Sequence, residues 1–442
     1  MEKKANPFGS WAIILILLAY GLLFLAFSNL VRSYSQSAST AADIRFVITG
    51  TRVAFWIALL SLFLSIIGFL PRGLKKKAAT AAFFLSALLL LVSGALVYSY
   101  DYMFSTLKQD ESFHQEDLLV VSPREDGVID LSPVPPGLPL PSGGDASQSV
   151  NMGQSVDLSV PDEVMAYMDR YEAKEDCILL PGSEKIRNYL LFGLDDVGSS
   201  DSILLVSVDP LHKKLKIFSL PRDSYAYIPK QDTYTRITYA YRYGGAAMAV
   251  AAVNYNLSLN ITDYITLSLD EVQMVIDYVG GVTVNMGYTE WDYFTQCGFK
   301  GLNVGECHLN GWEAMNYMRL REPDSEIRRM ERQREVLHAL YTAALQLPVE
   351  KFPDLVRGGM QMCTTSLDTY TILSLALEAI QNNYKLEQHG LVDLVEFWNG
   401  RFGPENTYYL VFDWDYTADT LYRLIYEDYY ISGYDYETKN TP

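Results

Sequence analysis

Three stretches of this chain, Trp11–Leu30, Val53–Leu70 and Ala78–Tyr98, contain no Asp, Glu, Lys or Arg. About 20 helical residues rising 1.5 Å each cover a hydrocarbon core about 30 Å thick. One charge at the centre of such a helix costs about 2.5–3.5 kcal/mol on insertion scales, so its absence from all three runs points to three transmembrane helices. The first run is too long for the apolar segment of a signal peptide, and two more spans follow it. Residues 1–100 therefore read as a membrane anchor. Lys3 and Lys4 precede the first run, and Arg72, Lys75, Lys76 and Lys77 crowd the short connection between the second and third. The loop from Val31 to Arg52 carries Arg32, Arg45 and Arg52, more widely spread. The positive-inside rule places the N-terminus in the cytoplasm and the large C-terminal domain outside the cell membrane.

A linker is expected over residues 101–160. Its segment LSPVPPGLPLPSGG, Leu131–Gly144, is too rich in Pro, Gly and Ser to bury a core and reads as a semi-rigid spacer. The remainder, 161–442, forms one extracytoplasmic domain. Tyr189–Asp195, Ile203–Asp209 and Leu215–Leu220 are short apolar runs that suit buried strands, and Val282–Met286 is another. Ala246–Tyr255, Leu269–Val279, Leu309–Arg319 and Ser325–Leu345 suit helices, the second of these stopped by Gly280-Gly281. Strands alternating with helices predict a layered α/β sandwich.

Composition removes several classes. With 35 Lys and Arg against 53 Asp and Glu, the net charge is −18, the wrong sign for a bulk electrostatic nucleic-acid binder. An anionic ligand must then be held by a local Arg cluster. The four Cys (177, 297, 307, 363) include no CxxC, and the five His include no HxxH or HExxH, which argues against zinc ribbons, thioredoxin-type motifs and zinc hydrolases. Cys297 and Cys307 would close a short loop if oxidised; four buried thiols are the other reading. No GxSxG elbow and no GxxxxGK[ST] loop occurs.

Three segments could carry chemistry toward a phosphorylated ligand. LDDVGSSDS places Asp195, Asp196 and Asp201 between two strands, where carboxylates suit magnesium bridging to phosphate or serve as ordinary turn residues. LPRDS ends a strand with Arg222, whose planar fork fits phosphate oxygens, beside Asp223 as orienting or surface partner. YMRLREPDSEIRRMERQ holds Arg319, Arg321, Arg328, Arg329 and Arg332. On its helix Arg329 and Gln333 share a face, Ile327, Met330, Leu337 and Tyr341 form the apolar stripe, and the charged face is expected to be solvated or paired with Glu326, Glu331 and Glu335.

Taken in order, YLLFGLD, SDSILLVSVDP, KIFSLPRDSY, RITYAYRYGG, DYVGGVTVNM, HLNGWEAMNYMRLRE and RRMERQREVL resemble the LytR-CpsA-Psr proteins of bacterial envelopes. The resemblance is carried by 187–346 and runs more weakly to about Tyr434. It implies an anchored extracytoplasmic α/β domain with a central mixed sheet. It implies a phosphotransferase that moves a polyprenyl-pyrophosphate-linked glycopolymer (teichoic acid or capsule type) onto a peptidoglycan acceptor, with membrane lipid as carrier and Mg2+ as cofactor. Carried over by motif, Asp195 and Asp201 would be catalytic and hold the metal, one of them also assisting the acceptor hydroxyl, and Arg222, Arg319 and Arg321 would be catalytic contacts to the pyrophosphate. Arg329 and Gln333 would complete the phosphate face, and Arg236 is a softer match. The family usually has Arg two positions before the second Asp, where this chain has Ser199, and Arg328 is no obvious substitute. A non-catalytic lipid-phosphate-binding or regulatory protein and a pyrophosphate hydrolase are the alternatives.

Overall fold

The computed structural model describes residues 7–35, 41–67, 76–104, 177–195, 197–229, 231–321, 325–348 and 362–435, with short pieces at 108–109, 128–129 and 172–173 and single residues within 351–359. Most of the expected 101–160 linker, and Asp196, lie outside the described residues. Contacts divide the chain into two units. One comprises Met1–Leu107, Glu350–Gln361 and Asp368–Asn383; the other comprises Lys108–Val349, Met362–Leu367 and Tyr384–Pro442.

The first unit is built on helices Pro7–Ser35, Ala41–Ile67 and Lys77–Phe104, each with an apolar window long enough to cross a membrane. Small residues let them approach: Ala19, Ala54 and Ala58 are fully buried together with Ile16 and Leu89. The Ser61 hydroxyl donates to the Ala12 carbonyl at 2.7 Å and lies 2.8 Å from the Ser86 hydroxyl, which keeps both groups satisfied away from water. Leu17, Phe24, Trp56, Phe84 and Leu91 face outward, as a lipid solvent requires. Arg52 pairs with Asp101 at 2.6 Å, so the first half of the second helix and the end of the third lie side by side. Helix Thr369–Asn382 packs on the second helix, and Arg45 pairs with Asp368 and lies 5.0 Å over the Tyr370 ring. The stretch expected as one domain over 161–442 is thus interrupted at Asp368–Asn383, whose contacts are with the helical unit.

The second unit is an α/β sandwich around a mixed sheet of seven strands, in the order Lys108–Gln109, Thr364–Thr365, Tyr264–Ser268, Arg187–Leu194, Ser200–Asp209, Lys214–Leu220, Lys385–Gly390. Arg187–Leu194, Ser200–Asp209 and Lys214–Leu220 run antiparallel in sequence, while Tyr264–Ser268 and Lys385–Gly390 add parallel to either side. Strand periodicity sorts the side chains into two layers. Leu190, Phe192, Ile203 and Leu205 enter a core with helices Thr238–Leu257 and Trp414–Tyr426. Leu191 and Leu204 line a cavity whose other wall includes helices Gly311–Arg319 and Glu326–Leu345. A second core, formed by Val282, Val284, Phe294, Leu309, Tyr317 and Val336, fixes those helices over the hairpin Val282–Met286/Gly305–Leu309.

The expected strands and helices are present with shifted ends. Leu309 closes a strand rather than opening a helix, because Asn310 takes the N-cap in a reciprocal capping box with Glu313. The Ala246–Tyr255 helix extends back to Thr238 across a kink at Gly244 and Gly245; the latter has φ of 63°, and a Cβ on Gly244 would meet Met248 at 2.5–2.8 Å. All four cysteines are free, Cys297 exposed and the others buried.

Candidate active site

Arg187–Leu194 and Ser200–Asp209 pair in register until the end, where Gly193 faces Ser202 and Leu194 faces Ser200. Asp201 is the extra residue between them. Such a bulge leaves one residue out of the ladder and re-aims its side chain. Here the Asp201 carboxylate meets Arg side chains from three separate segments. Arg222, just after the neighbouring strand, donates to Oδ1. Arg329, on the Glu326–Leu345 helix, donates from Nη1 to Oδ2 at 2.9 Å and from Nη2 to the Asp201 carbonyl at 3.1 Å. Arg321 places Nη2 3.6 Å from Oδ2.

Glu326 ties two of these arginines together. Its Oε1 accepts from Arg329 and lies 3.3 Å from Nε of Arg222. Asp223 turns away to Arg236, at 3.1 Å, whose Nε also donates to the Tyr408 carbonyl at 3.1 Å. Thr238 fastens this side of the site: its N–H donates to the Arg222 carbonyl at 3.2 Å and its hydroxyl to the Ser200 carbonyl at 2.8 Å. Burial pushes the Asp201 carboxyl up, but Arg329 and Arg222 outweigh it and hold the group below the ordinary carboxylate range. Burial also lowers the Arg222 guanidinium, which Glu326 and Asp201 more than reverse. For Arg321 the balance goes the other way: burial and the neighbouring Arg222 and Arg329 lower it by more than Asp201 and Glu326 raise it.

Arg329 is only 1% exposed, and its Nε has no hydrogen-bond acceptor among the described residues. Burying a charged group costs several kcal/mol unless its donors are met. Among the described residues, four guanidinium groups, those of Arg222, Arg236, Arg321 and Arg329, meet the three carboxylates of Asp201, Asp223 and Glu326, one cation more than the anions in a strongly acidic chain. Asp201, Arg319, Arg329 and Gln333 sit at a narrow cavity of about 80 Å³ whose remaining wall is largely apolar, with Leu191, Leu204, Met315, Met318 and Leu337 among its lining. The space matches two or three waters, so an alkyl chain entering it must part the helices from the sheet.

The structure therefore brings together Asp201, Arg222, Arg321 and Arg329, and places Arg319 and Gln333 on the same cavity. Asp195 stands apart from the ion pairs: its Oδ1 accepts from the N–H of Val197 at 3.0 Å and of Ser199 at 2.8 Å, shaping the loop. Ser199 is itself buried. Two expectations need correction. The charged face of the Glu326–Leu345 helix is paired as expected, Arg328 with Glu331 and Arg329 with Glu326, but it is not a solvated face throughout, since Arg329 and Arg332 are buried. Of the expected apolar stripe, Met330 is buried, whereas Ile327, Leu337 and Tyr341 are half-buried. The sequence reading gave Arg332 no role of its own; it donates to the Leu320 carbonyl at 2.5 Å and to Glu290 at 3.2 Å, and so fixes the peptide between Arg319 and Arg321.

A family model described as the LytR_cpsA_psr family matches residues 146–415. The chain is 29% identical over 199 residues to a polyisoprenyl-teichoic acid–peptidoglycan teichoic acid transferase, TagU, of Enterococcus faecalis, covering 43% of this chain and 64% of that protein. It is 35% identical over 157 residues to TagU of Bacillus mycoides, covering 34% and 50%. The matches thus span between half and about two thirds of these relatives. The crystal structure of B. subtilis TagV, 26% identical, aligns over 55% of this chain and 98% of that one with a TM-score of 0.46.

Proposed function

The chain belongs to the LytR_cpsA_psr family, and on that premise we propose that it transfers a glycopolymer from a polyprenyl pyrophosphate to a hydroxyl of peptidoglycan. The observation that carries this reading is the convergence of Arg222, Arg321 and Arg329 on Asp201, which lines an apolar cavity together with Arg329. An acceptor hydroxyl oxygen forms a new bond to the phosphorus that carries the polymer. The bond from that phosphorus to the bridging oxygen breaks, and polyprenyl phosphate leaves with the negative charge. Guanidinium groups already fixed by Glu326 and Asp201 stabilise that growing charge without reorganising. The hydroxyl proton passes to the leaving phosphate. Asp201, held ionised, serves as a fixed anion that orients Arg222 and Arg329 rather than as a base.

The Asp195 carboxylate, with an oxygen outside its loop hydrogen bonds, would hold Mg2+ beside pyrophosphate together with Asp201, whose oxygens are shared with Arg222 and Arg329. When bound, the ion adds positive charge at the phosphate oxygens. The prenyl chain enters between Leu191, Leu204, Met315, Met318 and Leu337, and Gln333 donates beside Arg329. Arg236, through Asp223, supports Arg222 from behind. The test is single-turnover transfer by the full chain in nanodiscs with a polyprenyl-pyrophosphate-linked polymer. Product that appears only with acceptor supports a transferase; release without acceptor would make it a hydrolase, and binding without turnover a lipid-phosphate carrier.

The basic residues from Arg72 to Lys77 put the N-terminus in the cytoplasm and the α/β unit outside the cell membrane. A Cys introduced between Leu74 and Ala79 should stay protected from an impermeant thiol reagent in intact cells; labelling there would reverse this orientation.

A further inference from the structure

Trp312 is 54% exposed at the start of the Gly311–Arg319 helix, a position for which the core has no use. Its ring lies flat on Phe299, with centroids 4.7 Å apart and planes 13° apart. Phe299 packs on the second hydrophobic core, but Trp312 does not. With one indole face on Phe299 and half the residue in water, the other face is presented outward. The support is stiff. Phe299 meets buried Phe294 edge-on at 4.7 Å, and the loop that carries it is tied by the Trp291 indole N–H donating to the Leu302 carbonyl at 3.0 Å. The reciprocal capping box of Asn310 and Glu313 fixes the helix turn beneath Trp312. Nearby, Tyr288 is 67% exposed and packs on Trp291 at 5.7 Å.

The helix continues this surface toward the guanidinium cluster. Trp312, Asn316 and Arg319 are four and three residues apart, one stripe of a 3.6-residue helix, and the residues that turn away from this stripe, Ala314, Tyr317 and Met318, are buried. Trp312 therefore stands about 10 Å along the axis from Arg319, and Arg319 lines the cavity with Asp201 and Arg329. A pinned aromatic face on a helix that also carries Glu313 and Asn316, one and four residues on, offers an apolar plane beside polar side chains, the complement of a pyranose ring. Insertion into a membrane surface would need several basic residues around the aromatics; here Lys300 beside Phe299 is the one Lys or Arg between Phe299 and Trp312, against Glu306 and Glu313, which anionic lipid would repel.

We infer that Trp312, braced by Phe299, is a saccharide-stacking subsite that holds a sugar of the glycan chain whose phosphate or hydroxyl end reacts at the Arg222–Arg329 cluster. The inference rests on the transferase reading above. The sugar comes from the acceptor strand or from the donor polymer, and the same chemistry serves either. The experiment uses the full chain in nanodiscs and three probes: soluble peptidoglycan glycan strands, polyprenyl pyrophosphate bearing a disaccharide, and bare polyprenyl pyrophosphate. Trp312→Ala should weaken one of the two sugar-bearing probes about tenfold, equivalent to about 1.4 kcal/mol, and leave the bare lipid unchanged. Loss on glycan strands assigns the acceptor; loss on the disaccharide lipid assigns the donor. Trp312→Phe should recover most of the affinity, and Trp312→Leu, which keeps apolar packing on Phe299, should not. Equal affinity of Leu and Phe variants for both sugar-bearing probes would overturn the subsite, also where Trp312→Ala fails to fold. So would Trp312-dependent binding to sugar-free anionic vesicles with no change on the glycans. Failure of wild type to bind bare polyprenyl pyrophosphate would instead overturn the transferase reading.

Discussion

Two buried charge clusters in the α/β unit look alike in a residue inventory and differ in what they leave unmet. In the first, Lys216 is 1% exposed, and its ammonium group has three acceptors: Asp209 at 2.8 Å, the Ile425 carbonyl at 2.9 Å and Glu427 at 2.9 Å. An ammonium group has three N–H bonds, so nothing is left over. Asp209 also accepts from the N–H of Leu211 and of His212 and lies 2.8 Å from the His212 ring. Asp209, His212 and Glu427 present atoms close enough together to hold a metal ion, but Lys216 already supplies the cation there. In the second cluster Arg329 is as deeply buried, yet it keeps an Nε–H without an acceptor, has cationic neighbours in excess and borders a cavity. Burial of charge alone does not mark a binding site. A surplus of donors at an open mouth does.

The sharpest way to break this contrast is to remove one cation from each cluster. Arg329→Ala should slow single-turnover transfer by about 10³-fold or more, as loss of a phosphate-stabilising arginine does elsewhere. Asp201 and Glu326 keep Arg222 as partner, so the melting temperature should move little. A variant with wild-type turnover would remove Arg329 from the chemistry. Lys216→Met should do the reverse. It should destabilise the fold by about 3 kcal/mol in urea titrations, because Asp209 loses its buried partner, while transfer per folded molecule stays unchanged. A selective loss of turnover there would mean that the two clusters are not distinct.

Acid sharpens the comparison with a smaller effect. The carboxyls of Asp201 and Asp209 are both raised by burial and then brought below the ordinary range by Arg329 and Lys216 respectively. A depressed native pKa contributes stability that is present above the unfolded value, about 3.9, and is lost as pH falls through the lower native value. Stability should therefore fall on acidification below about pH 4, and Asp209→Asn should flatten that limb. An unchanged acid slope in Asp209→Asn would remove its carboxylate from the linkage.

Much of this was legible along the chain, and the rest was not for reasons of distance in sequence. The three spans and the strands near Tyr189, Ile203 and Leu215 announce themselves because each buries a continuous apolar run. The edge strand Lys385–Gly390 is hidden by its polar sequence KLEQHG, since only its pairing with Lys214–Leu220 makes it a strand. Gly305–Leu309 is hidden likewise, its alternation being too short to separate from the helix that follows. Within the site, motif order identified Asp201, Arg222, Arg321 and Arg329, but not which carboxylate each guanidinium meets. Arg329 and Glu326, three apart on a helix, read like any surface ion pair; only the sheet laid across them buries the arginine. Asp195 and Asp201 read as equals in LDDVGSSDS, and the bulge that turns Asp201 alone into the cluster depends on register with the neighbouring strand.

The most direct measurement is native mass spectrometry of the full chain released from membrane, comparing wild type, Lys216→Met and the double variant Arg222→Ala/Arg329→Ala. Wild type and Lys216→Met should carry a bound polyprenyl phosphate or pyrophosphate, and the double variant should be stripped of it while remaining folded. Equal lipid on all three, or lipid lost with Lys216 and kept without the two arginines, would contradict a phosphate site at Arg222 and Arg329.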